Sequence, residues 1–297
     1  MTHIAAVCCV GLTLGCSAPG QDLLASEGGG SRSCPSLGGP VQTGTLQAPR
    51  LDEASGMVAS RRHSGVLWSH NDGGDAELFA LDESGRWIAS LMVADAAASD
   101  WEDIARVQTA DGDILVLADI GDNEAVRASV ALVAVPEPDV LPEQVVEADV
   151  TARIDVTYPD GPADAEAFVV DPRWGDGYIF TKSSQDGVPA MVLRIPGPLV
   201  AGPVTAESVG VLDGLGAVTA ADVASDGSAL LVRSDEKALW WSLEGGIPVE
   251  EALATPGCEV PLARETAGES VALTIDGAGY HSTSEGVGAA IHRVLLD

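Results

Sequence analysis

One unit of sequence recurs five times between residues 53 and 285, and a chain with such a period has few folds open to it. Each copy is a short apolar strand with an acidic or hydroxylated start, then a polar turn, a second strand and a polar exit. The first copies read "EASGMVAS-RRHSG-VLWSHND" from Glu53, "WEDIARVQT-ADGD-ILVLADIGDN" from Trp101 and "AEAFVV-DPRWGDG-YIFTKSS" from Ala165. The last two read "AADVA-SDGS-ALLVRSDE" from Ala220 and "ESVALT-IDGAG-YHSTSE" from Glu269. Ser55, Glu102, Glu166, Ala221 and Glu269 align, at separations of 47, 64, 55 and 48 residues. Two more strand-like runs lie between copies, such as "AELFALD" and "RWIASLMVA" after the first. Four strands per period predict an all-β chain folded into the blades of a β-propeller.

Closure agrees with this. After the fifth copy only "AAIHRVLLD" remains, one strand short of a blade. The run "VQTGTLQA", residues 41–48, can supply the missing strand and remove the exposed edge of an open array. The expectation is a five-bladed β-propeller closed by an N-terminal strand. Six blades is the alternative, should the 64-residue interval hide a degenerate copy, and an up-and-down sandwich is the other.

The net charge of −30 and pI near 4.1 speak against nucleic acid as a partner and against electrostatic attachment to anionic lipid. The first sixteen residues, "MTHIAAVCCVGLTLGC", form an apolar run of signal-peptide length, too short to span a bilayer. The run ends on "LTLGC", which resembles a bacterial lipobox and implies lipidation of Cys16; a simple cleaved secretion signal is the alternative. Of the remaining cysteines, Cys8 and Cys9 leave with the signal, so Cys34 and Cys258 read as one disulfide in an oxidising compartment. Residues 17–40, rich in Gly and Ser, read as a flexible tether. The organisation expected is thus a signal with lipobox at 1–16, a tether at 17–40 and a propeller at 41–297. Such a protein would be a monomeric envelope lipoprotein on the periplasmic or extracellular face, touching membrane only through its anchor.

In a propeller the start of each innermost strand and the exit of the second strand share one face. Here that face receives Ser55, Asp100, Glu102, Asp103, Asp164, Glu166, Asp222, Glu269 and Ser270 from strand starts. Exits add His70, Asn71, Asp72, Asp122, Asn123, Lys182, Arg233, Asp235 and Glu285. Clustered carboxylates raise one another's pKa unless a cation compensates, and hard oxygen ligands suit Ca²⁺. A water-filled channel lined by polar strand starts is the plainer alternative. Asp103 is expected to hold a neighbouring blade's backbone, Trp68 and Trp101 to pack between blades, and His70 to make hydrogen bonds. Lys182 reads equally as a structural ion pair and as a contact for an anionic substrate.

With the copies aligned, the chain resembles a group of secreted bacterial propellers of largely unassigned activity. The resemblance rests on "EASGMVASRRHSGVLWSHNDGGD", "DWEDIA", "LADIGDN", "YPDGPADAEAFVVDP" with "IFTKSS", and "GESVA". That group is similar to phytase-like and esterase-like propellers and, more distantly, to calcium-activated apyrases, whose five-bladed ring holds Ca²⁺ through Ser and Glu at strand starts. The resemblance implies a metal site at Ser55, Glu102, Glu166 and Glu269, with "TAADV" of the fourth copy offering Thr219 or a backbone carbonyl. Basic residues to grip phosphate are sparse, Lys182 and Arg233 being the candidates.

Three functions compete. The first is a noncatalytic surface binding or scaffold propeller with a Ca²⁺-binding acidic channel and an unidentified small-molecule or protein ligand. The second is a Ca²⁺-dependent hydrolase of phosphate or carboxylate esters, with Asp72, Asp122 or Glu285 as general base. The third is glycoside hydrolysis by paired carboxylates, for which aromatic residues, at 4%, are few. No GxSxG elbow, glycine-rich phosphate loop or HExxH motif occurs, and the sequence leaves open whether the chain is an enzyme.

Overall fold

The computed structural model describes residues 34–138, 144–183 and 188–297; the expected signal segment with Cys16, and the expected tether up to Ser33, lie outside the described residues. Five antiparallel-cored sheets follow. The chain opens on β1 (Val41–Thr45), then builds blade 1 from β2 (Ala54–Ala59), β3 (Val66–Asn71), β4 (Glu77–Asp82) and β5 (Trp87–Ala94). Blade 2 begins with β6 (Trp101–Thr109), β7 (Gly112–Asp119) and β8 (Val130–Pro136). Next, β9 (Gln144–Asp149) goes back to lie parallel to β5 in blade 1, and β10 (Ala152–Thr157) returns beside β8. Blade 3 comprises β11 (Ala165–Val170), β12 (Gly177–Thr181) and β13 (Ala190–Ile195). Then β14 (Gly202–Thr205) adds parallel to β10 of blade 2 before β15 (Glu207–Leu212) completes blade 3.

Blade 4 holds β16 (Val218–Val223), β17 (Ala229–Ser234), β18 (Ala238–Ser242), a short helix α1 (Val249–Leu253) and β19 (Cys258–Val260). Blade 5 holds β20 (Gly268–Leu273), β21 (Gly279–Ser284) and β22 (Ala290–Leu295), completed by β1 from the other end of the chain. The long interval between the second and third copies therefore hides no sixth blade. Its extra length is β9 and β10, one of which belongs to blade 1.

The innermost strands β2, β6, β11, β16 and β20 stand side by side around the axis, and each is buried along most of its length, β6 over Trp101 to Arg106, because both faces meet a neighbouring blade. Apolar burial is accordingly divided among the seams. Trp68 and Trp101 fill seam 1–2, Phe168 and Tyr158 seam 2–3, Phe180 and Trp241 seam 3–4, Leu231 and Tyr280 seam 4–5, and Phe79 and Ile291 seam 5–1. Cys34 and Cys258, 224 residues apart in sequence, form the disulfide that the cysteine count anticipates, tying the segment before β1 to blade 4. Leu37 also bridges Leu296, so the compact unit begins at Cys34.

Around the axis, side chains meet backbone groups that have no strand partner. Ser55 Oγ donates to the Glu102 carbonyl at 2.8 Å, Thr219 Oγ1 to the Gly268 carbonyl at 2.7 Å, and Ser270 Oγ to the Ser55 carbonyl. Asp103, fully buried, accepts from the amides of Ile104 at 2.8 Å, Phe168 at 2.9 Å and Ala221 at 3.3 Å, linking blades 2, 3 and 4 as the sequence led us to expect. Deeper in the channel, Asp222 accepts from the Leu273 amide at 2.8 Å and faces the Arg106 guanidinium at 3.3 Å. Gly56 has no room for a side chain there, because a Cβ would come within 2.7 Å of the Asp103 Cα.

Asp103→Ala strands two inter-blade amides in a dry environment. The expected loss is about 3 kcal/mol, a fall in melting temperature of roughly 6–12 °C, read by calorimetry and denaturant unfolding.

Candidate functional site: the acidic channel mouth

Every blade carries the same irregularity. The pairing of the innermost strand with its neighbour slips at the strand start, between Ala54 and Met57, Trp101 and Asp103, Ala165 and Ala167, Val218 and Ala220, and Gly268 and Ser270. A bulge re-aims the residue it leaves unpaired. Those residues are Ser55 with Gly56, then Glu102, Glu166, Thr219 and Glu269. In blade 4 the bulged position is Thr219, two residues before Ala221, the residue that spacing aligns with Glu102, Glu166 and Glu269.

The two hydroxyl residues close inter-blade bonds, as described above. The three glutamates do not, and they rise from blades 2, 3 and 5 onto one face. Around them stand Asp100, Asp164, Asp72, Asp235 and Glu285, whose charges reach the glutamates or one another. Glu102 is 6% exposed; burial, with the charges of Glu166, Asp100 and Asp164, pushes its pKa up to about 10. Its carboxyl lies against Asp100, and both press on Gly121, where an added Cβ would meet the Glu102 Oε1 at 2.2 Å. Burial and the charge of Glu166 push Glu269 up to about 7, and its Oε2 has no partner.

Two cations answer this charge in part. Lys182 Nζ donates to Glu166 Oε1 at 2.6 Å; burial opposes its charge, yet that bond and the surrounding acids hold its pKa above the usual lysine value. Arg127, which the sequence reading did not single out, contacts Asp119 at 2.8 Å and donates to the Gly121 carbonyl at 2.7 Å. Its signal was faint, since it follows the second-strand exit by several residues. Arg233 is no mouth residue: it is fully buried and bonds Glu265 at 2.7 Å and the Ser270 carbonyl at 3.1 Å.

The remaining sequence candidates take separate positions. Asp122 uses both carboxylate oxygens on the amides of Val126 and Arg127, at 2.9 and 2.8 Å. Asn71 ties down the loop before β2 through the amides of Asp52 and Glu53 and the Arg50 carbonyl, and Asn123 is exposed. His70 is buried edge-on to Trp101, bonded to the Asn71 carbonyl at 2.9 Å, and burial lowers its pKa to about 4. Asp72 and Glu285 stay partly open to water at the mouth.

As a metal site the set is incomplete. Its hard carboxylate oxygens are of the type Ca²⁺ prefers. Yet the Ser55 hydroxyl is engaged with a carbonyl, and among the described residues no three His, Cys, Asp or Glu side chains converge on one point.

The raised pKa values have a consequence for stability. A carboxyl whose folded pKa lies above its unfolded value adds stability in full below the unfolded value, and loses it as pH rises through the folded one. With EDTA present, stability is expected to fall as pH rises from about 4.5, as far as about pH 7 for Glu269 and about pH 10 for Glu102. Glu102→Gln, which keeps the shape and removes the charge, should flatten that fall and raise the melting temperature at about pH 8.

No protein-family model matches the chain, and no curated protein matches it. Among solved structures, one described as "Crystal structure of RRP9 WD40 repeats" is similar with a TM-score of 0.45 and 10% identity, over 90% of this chain and 100% of that one.

Proposed function

We propose that this is an exported, noncatalytic binding propeller whose ligand site is the acidic mouth and whose ligand there is a cation, Ca²⁺ being the ion its hard oxygens suit. The observation that carries the reading is a concentration of carboxyls that Lys182 and Arg127 answer only in part. Glu102, Glu166 and Glu269 stand on one face with pKa values raised by burial and mutual repulsion, while Lys182 bonds Glu166. Those three glutamates would hold the ion, and a bound cation would supply the compensation that protons supply without it. The more distant resemblance to calcium-activated apyrases implies these three glutamates together with Ser55, and is taken here as support for the reading. The lipobox-like "LTLGC" supports a cell-envelope address through Cys16. A donor set not drawn to one point suits the weak, extracellular class of Ca²⁺ site, with Kd on the order of 10⁻⁴ to 10⁻³ M.

Ester hydrolysis stands second for a specific reason. Lys182, Arg127 and Arg233, the basic groups near the mouth or expected there, are all paired, and Asp122 already accepts two amides. A phosphate clamp and one of the three candidate bases are thus otherwise occupied.

The test is thermal unfolding of the purified protein in EDTA and then in added Ca²⁺, with elemental analysis alongside. At a hundred times Kd the expected gain is about 2.7 kcal/mol, a rise of roughly 5–10 °C. Glu166→Gln and Glu269→Gln should each reduce it. The apparent affinity should increase from about pH 6 to about pH 8, because Glu269 must be ionised to bind. No shift and no bound metal would remove the cation from the proposal, and Ca²⁺-dependent turnover of an ester panel would move the hydrolase to first place.

A further inference from the structure

The outer rim of the ring has a feature unrelated to the mouth. Each blade ends on an outer strand whose free edge offers unpaired backbone groups to any extended chain, a hazard that natural sheets blunt in recognisable ways. Four of the five edges are blunted here. The edge of β1 is covered by the turn at 83–85, which receives the Thr43 hydroxyl at 2.6 Å and the Thr45 amide at 3.1 Å. Pro203 interrupts β14, the three-residue β19 carries the disulfide, and β9 carries Glu147 and Asp149. The fifth, β15, is blunted only at its start, by Glu207 and by a bulge at Val209, and has none of these from Gly210 to Leu212. Residues 208–212 read "SVGVL", are largely exposed, and leave Val211 54% exposed.

Beside that strand lies a groove of about 580 Å³. One wall is β15, and the other is the segment from Leu253 to Gly257 after helix α1. Val192 and Trp241 line it between the walls, and the Trp241 indole N–H donates to the Thr255 carbonyl at 2.8 Å, fixing the second wall to blade 4. The charged residues lining the groove are both acidic, Asp213 and Glu250, and Glu250 is held by the Tyr178 hydroxyl at 2.6 Å. An open strand edge, an apolar slot alongside it and a rim of one sign occur together.

We infer that this groove receives an extended segment of a partner polypeptide, which adds as a further strand to β15, sets an apolar residue between Val211 and Trp241, and carries Lys or Arg against Asp213 and Glu250. Main-chain pairing provides the attachment, and the slot and the acidic rim provide the selectivity. The site faces outward between blades 3 and 4 and is independent of what the mouth binds.

The experiment is selection from a random decapeptide display library on the purified protein at physiological salt, with Val211→Lys as counter-target, followed by amide hydrogen exchange of the complex. Val211 is exposed, so the variant should keep the wild-type melting temperature. The expected result is peptides that alternate apolar and basic residues, lose about tenfold or more in affinity on Val211→Lys, and slow exchange at residues 208–212. Three results would overturn the inference. One is a selection that does not separate the wild type from Val211→Lys. Another is protection that appears only at the channel mouth. The last is a dimer of the protein itself that Val211→Lys dissolves, since the occupant would then be a second copy.

Discussion

A ring of blades leaves one edge of every innermost strand facing the axis, and no strand is available to pair with it. The amides and carbonyls on that edge must find side chains or water, because an unmet buried polar backbone group carries a penalty comparable to a lost hydrogen bond. Asp103, Asp222, Ser55, Thr219 and Ser270 are this chain's answer. Asp103 is the most connected of them, joining the backbones of three blades from a position with no exposure to solvent. The acidity and hydroxyl content of the strand starts is therefore first a consequence of ring closure.

The bulge at the start of each inner strand divides this polar content between two tasks. Residues immediately past the bulge, such as Asp103 and Ser270, turn into the channel and bind backbone. The glutamates at the bulge itself in blades 2, 3 and 5 are turned toward the mouth, where they crowd Asp100 and Asp164 and resist ionisation. Blades 1 and 4 place a hydroxyl at the same point, and that hydroxyl joins the backbone set. The charge concentrated at the mouth is thus produced by a backbone irregularity repeated around the ring. Gly121 matters for the same reason, since the space a side chain would fill is taken by the Glu102 and Asp100 carboxyls.

Three devices hold the blades in sequence around the ring. Strand β1 closes blade 5 from the opposite end of the chain, and the Cys34–Cys258 bond ties that end to blade 4. Two strands leave their sequence neighbours to join another blade, β9 to blade 1 and β14 to blade 2, so consecutive blades are interleaved by the chain itself. Charged side chains add cross-links: half-buried Arg173 of blade 3 reaches the carbonyls of Leu243 and Ile247 in blade 4, and buried Arg233 bonds Glu265 and backbone of blade 5. Outer edges are protected piece by piece, and the edge of β15 past its bulge at Val209 is the least protected of them.

The repeat of acidic strand starts and polar exits determined the five blades, the closing strand and the face on which Glu102, Glu166 and Glu269 gather, because those depend on period and strand direction. The cysteine count determined the disulfide, and the alternation around "DWEDIA" placed Trp101 in a seam and Asp103 on a neighbouring backbone. What the sequence could not determine was partner choice at a distance. The runs that follow the third strands of blades 2 and 3 do not say that β9 and β14 pair parallel with another blade, since an apolar run fits either edge. Spacing put the fourth aligned position at Ala221, two residues beyond the bulged Thr219, because only the pairing with β17 shows where the bulge falls. The assignments of Arg233 to Glu265, Lys182 to Glu166 and Asp122 to two amides were also left to the tertiary structure. A charged side chain is paired by whatever the fold brings within about 3 Å of it, and that is set by packing across the seams rather than by neighbours along the chain.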